Sequence, residues 1–244
     1  LGSIPGMKRF VGEANIQNLA SHGFQITNEE FDSIVAVPQA DIERDSFGVY
    51  NPLVSSMGLA ARQHQDELLA KAMVAGFSTK GYTGSNFFSA NQEPQKGKTK
   101  FSNKGSKKLS AANYETARQN IKSRLNAEGR SMNLGVNLVL VVSPKWESVA
   151  REILLADRNA NGATNTNKGT ATLEVWPQLS AENEDAWFLL ETGQPVKPFI
   201  VQIEKDTTFT SLTNPDSEHV MTKHEFLYGA YGRYNAGYGL PELA

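Results

Sequence analysis

An α+β fold is what this 244-residue chain predicts, and three observations carry the prediction. One long, capped helical pattern runs over residues 51–76. A buried-strand pattern, Val136-Asn-Leu-Val-Leu-Val-Val142, leads directly into another helix at Ser143-Pro144. More short strand patterns follow, so helices and strands share one module.

The elements follow in chain order. From Phe10 to Glu43 there is no Lys or Arg, against six acids: Glu13, Glu29, Glu30, Asp32, Asp41 and Glu43. Within this tract Phe24-Gln25-Ile26 and Phe31 to Val37 read as two short strands around a polar Thr27-Asn28-Glu29-Glu30 turn. A hairpin with so little apolar material is marginal alone in water, and no partner strand is evident nearby. The expectation is an arm that lies on another copy of the chain, with Phe24, Ile26, Phe31, Ile34 and Val35 in apolar contact. Removing residues 24–37 would then leave a folded protein that cannot assemble.

Asn51-Pro52 starts the long helix, with Asn as N-cap and Pro at the first helical position. Leu53, Met57, Ala60, Ala61, Leu68, Ala72 and Ala75 recur at three-to-four spacing, with a polar gap at Gln63-His64-Gln65, and Gly76 can terminate the run. About 25 residues at about 1.5 Å each make a rod of roughly 37 Å. Tyr82 to Phe88 reads as a short strand or turn. Residues 94–113 are polar and carry Lys96, Lys98, Lys100, Lys104, Lys107 and Lys108 with no acid.

Ser110 caps a second helix with Tyr114, Ala117, Ile121 and Leu125 on one face, ended by Gly129. Beyond the 136–142 strand, the third helix carries Trp146, Ala150, Ile153 and Leu154. Ala171 to Trp176, Trp187 to Leu190 and Phe199 to Ile203 read as strands. Asn159 to Thr170 has no large apolar side chain and reads as a flexible exposed loop. Val220 to Tyr228 reads as a strand, followed by Gly229 to Gly239, either a low-complexity tail or a packed strand in which Tyr supplies area and Gly permits close approach.

The chemistry the chain excludes is as informative. A net charge of −2 means that any nucleic-acid contact must come from a local patch. With no cysteine there are no disulfides, thiolate metal sites or thiol nucleophiles. Of the four histidines (His22, His64, His219, His224) only the last two are close, and on a strand they would face opposite sides; no metal site and no cofactor are expected. No Gly-x-Ser-x-Gly elbow is present, and Gly81-Tyr-Thr-Gly84-Ser lacks the Lys-Ser/Thr pair of a phosphate loop. Glu29-Glu30 and Glu182-Glu184-Asp185 read as solvated turns. The N-terminus has no signal-peptide pattern, and the longest apolar run is far short of the roughly 18 residues a membrane helix needs, so the expectation is a soluble chain without a membrane partner. Because Leu1 is not an initiator Met, an upstream segment or a tag remnant is expected. The lysine run has three readings: a solvated loop, a phosphate-binding patch with Phe101 as a stacking group, or a complement to the acidic arm of another subunit.

Several stretches point further. They are Pro5-Gly-Met-Lys-Arg-Phe-Val-Gly-Glu13, Asp41-Ile-Glu-Arg-Asp-Ser-Phe-Gly-Val-Tyr-Asn-Pro-Leu53, Met57-Gly-Leu-Ala-Ala-Arg62, Asp66-Glu-Leu68 and Gly76-Phe77. Gly81 to Phe88, Asn161 to Thr170, Trp187-Phe-Leu-Leu190, Lys197-Pro-Phe-Ile-Val-Gln202, Phe226-Leu-Tyr-Gly229 and Arg233-Tyr-Asn-Ala-Gly-Tyr-Gly239 complete the set. Together, in this order, they resemble the major head subunit of Mu-type phages and prophages.

The resemblance implies a Hong Kong 97-type capsid fold with extended loop, peripheral domain and axial domain. It implies an N-terminal arm remnant over 1–13, the extended loop (a hairpin arm) over 14–48 and a peripheral domain over 49–109 with its spine helix at 51–76. An axial domain over 110–196 and a return to the peripheral domain over 197–244 complete it, with the Asn159 to Thr170 loop as the axis-facing tip. The implied function is a structural, non-enzymatic subunit that self-assembles as hexamers and pentamers into an icosahedral head enclosing double-stranded DNA. Scaffold, portal and decoration proteins and non-specifically bound DNA would be its partners, the host bacterial cytoplasm its place of assembly and the virion its destination. Alternatives are a shell without a genome, or an enzyme with an unmarked site. Two departures stand out: Phe87-Phe88 is followed by Ser-Ala-Asn-Gln-Glu rather than Asp and His, and the lysine-free arm has no residue for isopeptide cross-linking.

Overall fold

The computed structural model describes residues 25–44, 48, 50–93, 100–126, 129–159 and 161–244. The elements are β1 (Glu29–Pro38), α1 (Gln39–Glu43), α2 (Tyr50–Ala75), α3 (Ala111–Lys122), β2 (Leu138–Val142), α4 (Glu147–Leu154), β3 (Thr172–Val175), α5 (Leu179–Asn183), β4 (Trp187–Glu191), β5 (Phe199–Leu212), α6 (Glu218–Lys223) and β6 (Glu225–Tyr238). Two compact units share these elements. One holds Ala70–Ile200 and Tyr238–Ala244; the other holds Ile26–Leu69 and Val201–Gly237.

The first unit is built on the sheet β3-β2-β4, in which β2 runs parallel to β3 and antiparallel to β4. Leu138, Leu140 and Val142 are buried together with Tyr114 and Ile121 of α3 and Ala150, Ile153 and Leu154 of α4. The helix over 111–122 starts as its sequence requires: the Ser110 hydroxyl accepts from Asn113 N at 3.2 Å, meeting one of the orphan N–H groups of the first turn. It stops at Lys122, before Leu125, which is 41% exposed. The strand likewise begins at Leu138, leaving Val136 79% exposed.

A carboxylate explains that late start. Glu191, only 1% exposed, accepts from the backbone N–H groups of Gly135 (2.6 Å), Val136 (3.0 Å) and Asn137 (3.4 Å) with one oxygen, and from Gly193 (2.7 Å) with the other. Four donors that the sheet leaves unmet thus converge on one buried charge.

The second unit overturns the hairpin reading of the arm. Residues 29–38 form one uninterrupted strand, so Glu29 and Glu30 lie in β1 rather than in a turn. β1 pairs antiparallel with β6 of the same chain, from Glu29 opposite Tyr234 to Pro38 opposite Glu225. The sheet order is β1-β6-β5. The missing cover therefore comes from within the chain, from a strand close to 190 residues downstream, which local periodicity cannot reveal. Val37 is buried at 3% and Phe31 is half-buried, while Ile34 stays 63% exposed.

The Tyr/Gly segment is the central strand of this sheet rather than a tail, and its start differs from the expectation. Residues 218–223 are helical, capped by Ser217, and the strand begins only at Glu225. His219 therefore lies within a short helix and His224 caps its C-terminus, instead of the two alternating along a strand. β5 extends nine residues beyond the predicted Ile203, because an edge strand with both sides largely exposed carries little apolar alternation.

The long helix spans Tyr50–Ala75, one residue ahead of the predicted bounds at each end. Gly76 follows it without a left-handed backbone, and a Cβ there would come within 3.0 Å of the Phe88 ring. At Gly239 a Cβ would collide with the Lys197 carbonyl, and the Gly239 N–H instead donates to Pro198 O at 2.8 Å.

Replacing Glu191 by Ala is expected to cost about 3 kcal/mol, the scale for buried donors stripped of a charged acceptor, with Gln retaining part of it. All three tryptophans lie in the first unit, so urea unfolding followed by tryptophan fluorescence checks this. Deleting residues 24–37 is expected to lower the melting temperature read by circular dichroism, since it removes the partner of β6. An unchanged melt would contradict the intrachain pairing.

Candidate assembly surfaces

The expected contact residues of the arm separate according to the face of β1 they occupy. Phe31 points inward: its ring centroid lies 4.5 Å from His64 and 5.0 Å from Tyr234, and His64 Nδ1 sits 3.0 Å from the Tyr234 hydroxyl. The polar gap in the long helix is thus where a histidine meets the sheet. Burial pushes the pKa of Tyr234 up, consistent with a neutral phenol that hydrogen-bonds the imidazole. Ile26 is half-buried, lying where a Cβ at Gly237 would be in close contact with it.

Ile34 is on the opposite face, with Asp32 and Ala36, across from Gly229. Val35 is 37% exposed. Elsewhere in this unit Leu59 (64%), Phe209 (51%), Ile203 (49%) and Met221 (62%) are also exposed. Phe24 lies outside the described residues.

Lys96 and Lys98 are outside them too. Lys100 is exposed and pairs with Glu93 at 3.5 Å, an acid just before the run. Lys104 is exposed, its ammonium 6.0 Å from the centroid of Phe77. Lys104, Lys107 and Lys108 stand along an open cavity of about 580 Å³ whose apolar lining includes Phe77, Phe88 and Phe188. Those three rings pack on one another at centroid distances of 4.8, 5.5 and 6.2 Å. Trp187 Nε1 donates to Lys107 O at 2.9 Å and holds the lysine segment in place.

A clasp that sequence reading missed closes the far side of this cavity. Arg124, 5% exposed, donates from Nη1 to the Glu242 and Ala244 carbonyls at 2.6 and 2.9 Å, with its guanidinium 4.9 Å from the Phe101 ring. Burial lowers its pKa to about 10, so it stays cationic at neutral pH. Tyr82 donates to Glu242 Oε1 at 2.6 Å, and burial is the largest of the causes that raise its own pKa. Arg124 therefore covers one face of the half-buried Phe101 ring. A conspicuous polar pair at 82 and 242 has no local sequence signal.

Side-chain hydrogen bonds tie the described residues of the 159–170 stretch, most of which are exposed. Asn165 Nδ2 donates to the carbonyls of Glu152, Ile153 and Ala156 at 2.9 to 3.1 Å, meeting acceptors that the end of α4 leaves open. Asn159 Oδ1 accepts from Asn161 N and Ala163 N at 3.1 and 3.0 Å. Lys168 pairs with Asp157, which holds that carboxyl below its ordinary pKa. The asparagine side chains here replace backbone partners.

Among the described residues no cluster of three or more His, Asp or Glu could hold a metal, and no helix is long and apolar enough to cross a membrane.

Solved structures with this arrangement are phage capsid subunits. The bacteriophage JBD30 capsid decorated with minor capsid protein trimers is similar at TM-score 0.63 and 25% identity, over 73% of this chain and 84% of that one. The JBD30 procapsid covers all of this chain and 59% of its own, at TM-score 0.53 and 26% identity. The capsid of cyanophage P-SCSP1u shares the fold alone, at TM-score 0.58 and 11% identity over 94% and 79% of the two chains. The class is the Hong Kong 97-type phage capsid fold. Within it, the chain belongs to the family of the Mu-like prophage major head subunit gpT, whose pattern it matches over residues 1–108, 101–179 and 178–244. It is 27% identical over 244 residues to the Mu-like prophage FluMu major head subunit of Haemophilus influenzae and to the major capsid protein of Escherichia phage Mu. The chain spans 58% of the length of each.

Ile34→Ser is expected to change stability by less than about 0.5 kcal/mol, the usual range for an exposed position. The same substitution is expected to reduce self-association measured by sedimentation. Phe31→Ala is expected to cost about 3 kcal/mol in thermal unfolding, as for other large-to-small changes in packed aromatic sites.

Proposed function

We propose that this chain is the shell-forming body of a phage or prophage head subunit. It assembles with copies of itself, as hexamers and pentamers, into an icosahedral head that encloses double-stranded DNA. The observation that carries the reading is the family match along the whole chain, joined to the capsid fold. The exposed Ile34, Leu59 and Met221 of the second unit offer apolar area for a neighbouring copy to cover.

The working principle is association rather than turnover. Each contact is modest, at about 25 cal/mol per Å² of apolar area buried. Repetition over a closed shell multiplies small contacts, and weak individual contacts let misplaced subunits leave during growth. The outer face of β1, with Ile34, supplies part of the contact to an adjoining copy. Residues 110–196 surround the capsomer axis, with the Asn-rich loop near it; residues 49–109 and 197–244 form the peripheral part around the spine helix. Scaffold, portal and decoration proteins, non-specific DNA contact, assembly in the bacterial cytoplasm and a final place in the virion belong to the same reading.

Negative-stain electron microscopy of the purified chain at high concentration, with and without the segments its longer relatives carry, tests it. Closed particles or capsomer rings are expected. A protein that sediments as a small, fixed oligomer under every assembly-promoting condition would overturn the reading.

A further inference from the structure

The cavity beside the lysine segment combines two chemistries. Its floor is the packed trio Phe77, Phe88 and Phe188, and Lys104, Lys107 and Lys108 stand along it. The described lining contains one acidic side chain, Asp185, which Lys145 already engages at 2.9 Å. What suits such a groove is an apolar side chain flanked by acids. A nucleic-acid backbone would meet the lysines but has no use for an aliphatic-sized apolar floor.

The chain itself carries a segment of that description. Between Phe10 and Glu43 it has six acids and no cation, and the tract ends in α1, which reads Gln-Ala-Asp-Ile-Glu. Asp41 and Glu43 are exposed there and Ile42 is half-buried, with no residue of α1 fully buried. The turn is held in shape by its own contacts: Gln39 N–H donates to His224 O at 2.9 Å, and Gln39 Nε2 donates to Glu43 Oε1 at 2.7 Å. It is thus a small, pre-shaped knob that places an isoleucine between two carboxylates.

We infer that the lysine-rimmed groove of one copy receives the Asp41-Ile42-Glu43 turn of a second copy. Ile42 lies over the phenylalanine floor, and the two carboxylates meet Lys104, Lys107 and Lys108. This rests on the assembly reading above and deepens it, because it names which two surfaces meet. It also separates the roles of the arm: β1 pairs within its own chain, and the turn that follows it reaches the neighbour. Opposite charge on the two surfaces gives the contact its register and excludes the groove-to-groove and knob-to-knob encounters.

Charge reversal tests the contact. Lys104→Glu with Lys107→Glu, and separately Asp41→Lys, which leaves the Gln39–Glu43 hydrogen bond in place, are each expected to lower particle yield about tenfold, since each brings like charges together. The combination of all three substitutions is expected to restore it. All three positions are exposed, so melting temperatures should match the parent and exclude misfolding as the cause. Unaltered yield in both variants, or no rescue by the combination in folded protein, would overturn the contact. Loss of double-stranded DNA binding in the lysine pair, with assembly untouched, would assign the groove to nucleic acid instead.

A second measurement separates failure of the contact from failure of the shell reading. The chain has no cysteine, so Ile42→Cys with Ser106→Cys adds the only two thiols. Mild oxidation is expected to give covalent dimers and higher oligomers even if no closed particle forms. A purely intramolecular disulfide, or none, would refute a contact between copies.

Discussion

The constraint on which the second unit depends is the ladder between β1 and β6. Ten residues of β1 are matched one to one by a strand that begins at Glu225. Neither strand is apolar enough to stand alone, and β6 in particular alternates Tyr with Gly. Pairing lets Phe31 and Tyr234 enclose His64, while Ile34 on the other face is left to water. One interaction thus decides which arm residues are structural and which remain available. A register slip of one residue would exchange the two sets.

In the first unit the same role falls to buried polar groups. Glu191 gathers four N–H donors at the mouth of the central sheet, and Arg124 with Tyr82 fastens the 240–244 segment. Such groups are costly to bury and costly to leave without partners, so each fixes one arrangement of the chain around it. Two loops are tied down in the same way: the exposed Val136 sits directly on the Glu191 nest, and Asn165 hydrogen-bonds the end of α4.

The sequence made the locally encoded elements legible. The spine helix came within one residue at each end because Asn-Pro, apolar spacing and a closing glycine all agree. α3 was right at its start, where Ser110 caps it, and too long at its end, where Leu125 is apolar but exposed. β2 and β4 were legible as apolar runs; β5 was cut short because its outer half is Thr-rich and wet. Among the expected contact residues, Ile34 and Lys104 are exposed. Phe31 was grouped with Ile34 although it faces inward, since facing depends on a partner strand that only folding supplies.

Composition, capping residues and short apolar periods by themselves determined the α+β class, the long helix, the exclusion of thiol chemistry and, through the ordered motifs, the capsid family. These are properties of neighbouring residues, whose energetics act over one turn or one strand. Tertiary structure alone decided that the acidic ribbon completes a sheet of its own chain, that Glu191 and Arg124 are buried hubs, and that the lysines border an aromatic groove. Each of these joins residues tens to nearly two hundred positions apart, and the free energy of such contacts appears only when distant surfaces are brought together.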